Sequence, residues 1–363
     1  MKVGIYMPFG ERGKSASSLF YDGLEKEYFR RALGAVHAQK AYSDMELLWF
    51  DEGGNPSPCA FVRTTAIEPV RSSLSLFKSS SRLLEKVVQD EGLDVLLTHI
   101  STPLLRLSIP QILFTADMLF HGETRSVSNT PPPPLSSKIK RACMSAQSIL
   151  CPSEYVHRSC LSRLEMGLEK AIVAKAGVDK IFSEPSPSLI DPPYGLFILN
   201  RYTFPALPTF FNAIQKNTSL FPQNLVVLGP VHPEEPSNWP LPVVRIENCP
   251  DKEVAGLMQN AEMCFYLAHG DGSGIPVLQA LSSGALLITT RSGAINEVAG
   301  SVPFYCEADN ITSLLNILRR AKNEKASDLR KRKQTAQNLI HDCSWERCGT
   351  KILSTLKRSQ LNS

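Results

Sequence analysis

The segment SEPSPSLIDPP, Ser183 to Pro193, divides the chain: its four prolines and lack of apolar periodicity fit neither a helix interior nor a central strand. Strand-like and helix-like stretches alternate on both sides of it. Before it, Lys2 to Met7, Met45 to Phe50, Asp94 to His99, Gln111 to Thr115 and Ser148 to Cys151 read as short strands, while Leu19 to Ala38 and Leu83 to Gln89 carry helical spacing. After it, Leu196 to Leu199, Leu225 to Leu228, Val243 to Ile246, Met263 to Leu267 and Leu286 to Thr289 read as strands, separated by helical stretches such as Lys252 to Gln259 and Ile311 to Arg320. This is the pattern of parallel sheets covered by helices on both faces. The expected fold class is therefore α/β, with two Rossmann-like doubly wound domains facing each other across a cleft and Ser183 to Pro193 as the linker. A length of 363 residues agrees, because it exceeds what one hydrophobic core usually organises. Ser126 to Pro134, with four consecutive prolines, reads as a surface loop.

Charge and cysteine usage narrow the function classes. The formal charge is +4, with basic and acidic residues interspersed, so no nucleic-acid surface is expected. The local cluster Lys138, Lys140 and Arg141 reads first as a solvated helix face, with an anionic membrane surface or acidic acceptor as the minority reading. Nine cysteines at irregular intervals, without a CxxC pair, read as reduced thiols, and no His/Cys cluster suggests a metal site. The first residues, MKVGIYMPFG, hold an apolar run too short for a signal peptide, and no later run reaches the length of a membrane span. A cytoplasmic location is expected, with peripheral membrane attachment left open.

The most informative local stretch is DGSGIPVLQALSSGALLITT, Asp271 to Thr290. Gly272 and Gly274 allow close backbone approach to a ligand, and Pro276 suits the first turn of a helix. Val277, Leu278, Ala280 and Leu281 supply that helix with an apolar face, Gly284 ends it, and Ala285 to Ile288 suit a buried parallel strand. The free amides of such a helix start, at the positive end of its dipole, attract a diphosphate. The competing reading is a well-packed strand–helix turn with no ligand.

Taken in order, these residues resemble the GT-B glycosyltransferases of the large retaining family 4, which move a sugar from a nucleotide-sugar to an acceptor. The family's run EGFGLPVLEA stands here as DGSGIPVLQA. VAKAGVDKIF, Val173 to Phe182, is similar to its "PNGVD…F" segment, and LNRYTF, Leu199 to Phe204, to its "VGR" strand end. SGAINEVAG, Ser292 to Gly300, and SWER, Ser344 to Arg347, match a glycine-rich loop followed by Glu-Val and the C-terminal "SWE" helix. The resemblance implies a GT-B fold with an acceptor-side domain over 1–183, a nucleotide-sugar-binding domain over 194–343, and a helix over 344–363 returning to the first domain. It further implies transfer with retention, a nucleotide-sugar as substrate, a glycan, lipid or protein acceptor, and no separate cofactor or metal.

By position, the resemblance implies donor contacts at Gly13, Arg201, Ser273, Gly274, Ile275, Gln279 and Glu297, and assigns the reacting centre to Asp271, with Asp117 and His121 near the sugar or acceptor. Three departures fall on donor-handling positions. Asp271 replaces the first glutamate and draws its carboxylate back by one methylene; Gln279 replaces the second, the ribose-binding one. The lysine that follows the Arg201 position in the family is absent from YTFPALPTF, and losing one charged contact forfeits roughly 1.5–3 kcal/mol of diphosphate binding. A catalytically degenerate binding or scaffold protein is therefore the rival reading. PFGERGKS also has the outline of a phosphate-binding P-loop, but Pro8 stands where that loop requires a small residue.

Overall fold

The computed structural model describes residues 1–7, 16–39, 44–51, 59–66, 85–100, 107–115, 137–164, 167, 169–232 and 234–361. Gly13, Asp117, His121 and the proline run before Pro134 lie outside the described residues. Two separate parallel sheets organise the chain. The first contains β1 (Lys2–Tyr6), β2 (Glu46–Asp51), β3 (Arg63–Ala66), β4 (Val95–His99), β5 (Gln111–Phe114), β6 (Ser148–Cys151) and β7 (Ala171–Val173), in the order β3-β2-β1-β4-β5-β6-β7. Its described helices are α1 (Ala16–His37), α2 (85–91), α3 (Ser137–Ser145) and α4 (Glu154–Leu164).

The second sheet contains β8 (Gly195–Ile198), β9 (Leu225–Leu228), β10 (Val243–Ile246), β11 (Met263–Tyr266), β12 (Leu287–Thr290) and β13 (Phe304–Cys306), in the order β10-β9-β8-β11-β12-β13. Helices α5 (Leu207–Lys216), α6 (Asp251–Asn260), α7 (Ile275–Ser282), α8 (Ile295–Ala299), α9 (Ile311–Lys322), α10 (Ala326–Ile340) and α11 (Trp345–Leu361) complete the chain. The central strands β8, β11 and β12 are buried along their whole length, as strands in a sheet covered on both faces must be. One apolar cluster gathers Phe197, Phe210, Phe265 and Leu318 on one face of this sheet; another gathers Tyr194, Leu196, Cys264 and Leu281 on the other. The short strands β3, β7 and β13, three or four residues each, offer too little alternation to be read from sequence.

In both sheets the strand order reverses beside the first strand, between β1 and β4 and again between β8 and β11. Loops leaving the carboxyl ends of two such strands diverge to opposite faces and open a crevice between them. In the second sheet these are the loops after Ile198 and after Tyr266. They carry Arg201 and the Asp271–Gly274 stretch.

The last helix does not stay with the second sheet. Trp345, Cys348, Ile352, Leu353 and Leu356 of α11 enter one cluster with Tyr28, Phe29, Leu33 and Val36 of α1. Gly349 permits this approach, since a Cβ there would collide with the backbone of Ala35 and Val36. The Tyr28 hydroxyl closes the joint by donating to the Ala174 carbonyl at 2.6 Å. Beside it the buried Arg31 of α1 pairs with Glu27, with Asp179 and with Asp251 at the start of α6, tying the two halves together.

Candidate functional site

Arg201 is held by a tight turn at the end of β8. Asn200 Oδ1 accepts from the amides of Tyr202 at 2.9 Å and Thr203 at 3.2 Å, and the Thr203 hydroxyl donates back to the Ile198 carbonyl at 2.9 Å. These bonds reverse the chain directly after the strand. Arg201 then lies over the Tyr202 ring, 4.6 Å from its centroid, and its Nη2 donates to the Tyr202 hydroxyl at 2.6 Å. The loop after β11 joins this turn through the His269 amide, which donates to the Tyr202 carbonyl at 2.7 Å.

Asp271 is fully buried at the centre of the second loop. Its Oδ1 accepts from the Ser273 amide at 2.8 Å, the Gly274 amide at 2.9 Å and the Ser273 hydroxyl at 3.1 Å. Its Oδ2 accepts from the Tyr266 hydroxyl at 2.8 Å. The carboxylate thus compensates donors just ahead of α7, where the helix dipole favours negative charge. Burial, with the Asp271 charge beside it, pushes the Tyr266 phenol well above its ordinary range, so it remains a donor. Gly274 takes φ +69°, and a Cβ there would meet the Val298 side chain. Gly293, at φ +62°, lets the loop after β12 lie against the Asp271 carbonyl, which accepts from the Ala294 amide at 2.7 Å.

Helix α7 is buried except at Gln279 and Ser282, which are half-buried, while Ser273 and Ile275 are buried with the helix start. The first half of the chain meets this loop through α4. Ser153 caps α4, its Oγ accepting from the Val156 amide at 3.2 Å, and the same hydroxyl donates to the Gly272 carbonyl at 2.6 Å. Glu297 of α8 accepts from the first amides of α4, Glu154 at 3.2 Å and Tyr155 at 3.0 Å, and pairs with Lys175 at 3.1 Å. The structure therefore uses the Glu297 carboxylate to cap a helix of the opposite half and brings Ser153 to within bonding distance of the Asp271–Gly274 loop.

Of the sequence-derived site residues, Arg201, Asp271, Ser273, Gly274, Ile275 and Gln279 belong to the two loops at the switch point and the helix they open, with Glu297 at their rim. Sequence reading misses Tyr266, Tyr202 and Ser153. Ser153 carries a legible signal, a serine immediately ahead of a helix; Tyr266 sits inside an apolar run, Tyr202 stands in the polar turn between Arg201 and Thr203, and neither shows one. A further pair lies beyond the loop: His269 Nε2 is 3.2 Å from Asp309 Oδ1, and Asp309 occupies the left-handed region at φ +54°. Among the described residues no three His, Cys, Asp or Glu side chains group so as to hold a metal ion, and no helix is long and apolar enough to cross a membrane. All nine cysteines are free thiols.

No family model matches the chain, and no curated protein matches it by sequence. Solved structures do match over its full length. A sucrose-phosphate synthase from Thermosynechococcus elongatus superposes with a TM-score of 0.72 at 11% identity, covering 100% of both chains. A glycosyltransferase from Rickettsia africae gives 0.68 at 12% identity over 99% of both chains. HepE from Anabaena, solved in complex with UDP and glucose, gives 0.66 at 13% identity, over 98% of this chain and 99% of its own. The chain has the GT-B fold.

Proposed function

We propose that the chain is a glycosyltransferase that moves a sugar from a nucleoside diphosphate sugar to an acceptor hydroxyl with retention of anomeric configuration. The observation that carries this reading is the junction of the Arg201 turn with the Asp271–Gly274 loop, at the strand-order reversal of the second sheet, where a doubly wound fold opens its crevice. Arg201 supplies a permanently charged fork for the diphosphate, and the start of α7 supplies the dipole. In the reaction the bond from the anomeric carbon to the diphosphate breaks and the acceptor oxygen bonds to that carbon from the same face. The acceptor proton passes to the departing diphosphate, whose charge Arg201 stabilises as it develops. The donor is a substrate, and the reaction so written uses no further cofactor.

In this reading residues 1–183 hold the acceptor, 194–343 the donor, and 344–363 return to the acceptor side. The location is cytoplasmic. Asp271 acts by holding the helix start in place, because both its oxygens are engaged within the protein. That same engagement favours a second reading, a protein that binds nucleotide without transferring sugar. A panel of nucleotide-sugars, scored by calorimetry and by release of nucleoside diphosphate with water or added acceptors, separates the two. Binding with turnover supports the transferase; binding without turnover across the panel moves the conclusion to the binding protein; no binding overturns both.

A further inference from the structure

The second sheet's carboxyl edge continues past Arg201 to the ends of β9 and β10. Strands lie about 4.8 Å apart, so the path from the start of α7, over β8, to β10 spans roughly 10–15 Å, the length of a nucleoside diphosphate. A phosphate held at Arg201 therefore has the loops after β9 and β10 within reach of its nucleobase. There Phe204 lies against the His232 ring, and Val231 is 49% exposed beside it, forming an apolar ledge. Burial lowers the His232 pKa, which keeps that imidazole neutral and suited to stacking.

The same loop carries a carboxylate with an unused oxygen: the Glu235 amide donates to the His232 carbonyl at 3.0 Å. The side chain of Glu235 is 9% exposed, and Oε1 pairs with Arg245, which also donates to the Gly229 carbonyl at 3.2 Å. Glu235 Oε2 is buried and has no hydrogen-bond partner among the described residues. A buried carboxylate oxygen left unpaired is costly, and its charge is balanced here by Arg245. Its chemistry selects among bases. Guanine turns two adjacent donors, N1–H and the 2-amino group, toward a carboxylate. Uracil offers one N–H flanked by two carbonyls, and adenine and cytosine each place an acceptor nitrogen beside their amino group, so all three repel it.

We propose that Glu235 is a specificity-determining residue that selects a guanine nucleotide as donor. This rests on the nucleotide-sugar reading above. The test is calorimetric titration of the full chain with GDP, IDP, UDP and ADP, together with GDP titration of Glu235→Gln. GDP is expected to bind at least 10-fold more tightly than UDP or ADP, and IDP, which lacks the 2-amino group, about 10- to 100-fold more weakly than GDP. Glu235→Gln should abolish the preference of GDP over IDP. The comparison of GDP with IDP uses the unaltered protein and stands even if the variant fails to fold. UDP or ADP binding as tightly as GDP, or IDP matching GDP, overturns the base assignment and leaves the nucleotide reading standing. No binding by any of the four overturns both.

Discussion

Replacing Asp271 by alanine tests whether this carboxylate serves the fold before it serves any ligand. Four donors converge on it: the amides of Ser273 and Gly274 and the hydroxyls of Ser273 and Tyr266. The Ser273 hydroxyl can rotate to another acceptor; the two amides and the buried phenol cannot. Each buried donor left unsatisfied costs about 1–3 kcal/mol, and the terms overlap because they share one group. A loss of about 3–5 kcal/mol is expected, against a total of roughly 5–15 kcal/mol for a typical domain. Asp271→Asn keeps an oxygen for the amides and turns its nitrogen toward the Tyr266 oxygen, so it should cost only about 1–2 kcal/mol. Asp271→Glu forces an extra methylene into a fully buried site, an overpacking worth about 1–3 kcal/mol. The assay is urea unfolding by circular dichroism, with hydrogen exchange at the Ser273 and Gly274 amides as the local readout. An alanine variant destabilised by less than about 1 kcal/mol, or no more than the asparagine variant, would refute the capping argument.

Three further outcomes concern other groups. Arg201→Ala should weaken nucleoside diphosphate binding by about 1.5–3 kcal/mol, roughly 10- to 100-fold, and unchanged calorimetric affinity would remove Arg201 from the site. Glu297→Ala should raise hydrogen exchange at the Glu154 and Tyr155 amides, the first turn of α4, because their acceptor is gone; unaltered protection there would show that the cross-half cap is dispensable. Burial pushes the Cys264 and Cys348 thiols up to about 12 from an ordinary 9. Their folded-state values are raised, so their stabilising effect is intact below pH 9 and lost as pH rises from 9 toward 12. At pH 10 each should cost about 1.4 kcal/mol, and a urea midpoint unchanged between pH 7.5 and 10 would contradict this.

The fold was legible because its signals are long and repeated. Strands such as Met263–Tyr266 and Leu225–Leu228 are uninterrupted apolar runs, and the prolines of 183–193 mark where one sheet stops and the other begins. The helix start at Ile275 was legible for the same local reasons, since Gly274 takes the left-handed conformation that glycine accepts freely. What the sequence concealed is who bonds to whom. Nothing in MCFY marks Tyr266 as the partner of a carboxylate five residues on, because a buried tyrosine in a strand looks like any large core residue. Likewise Glu297 reads as a ligand contact from its loop, whereas its use on the amides of α4 depends on a strand and helix 143 residues away.

Asp271 shows how one methylene decides what a carboxylate does. An aspartate reaches the amides two and three residues ahead of it, the short-range turn that this side chain forms most readily. Asp271 makes both bonds, and with Tyr266 on its other oxygen the group is sealed below the surface. A glutamate starting from the same Cα would overshoot those amides by one methylene. The shortening that reads in sequence as a weakened reactive group therefore becomes, in three dimensions, an internal anion beneath the helix start. In the proposed reading, that anion competes with an incoming diphosphate for the Ser273 and Gly274 amides and repels its charge. In that reading diphosphate affinity then rests more heavily on Arg201, whose charge is permanent, than on the helix start. Asp271→Asn, by removing the repulsion while keeping the cap, should tighten nucleoside diphosphate binding in the variant that folds, and weaker binding by that variant would return Asp271 to a direct role at the ligand.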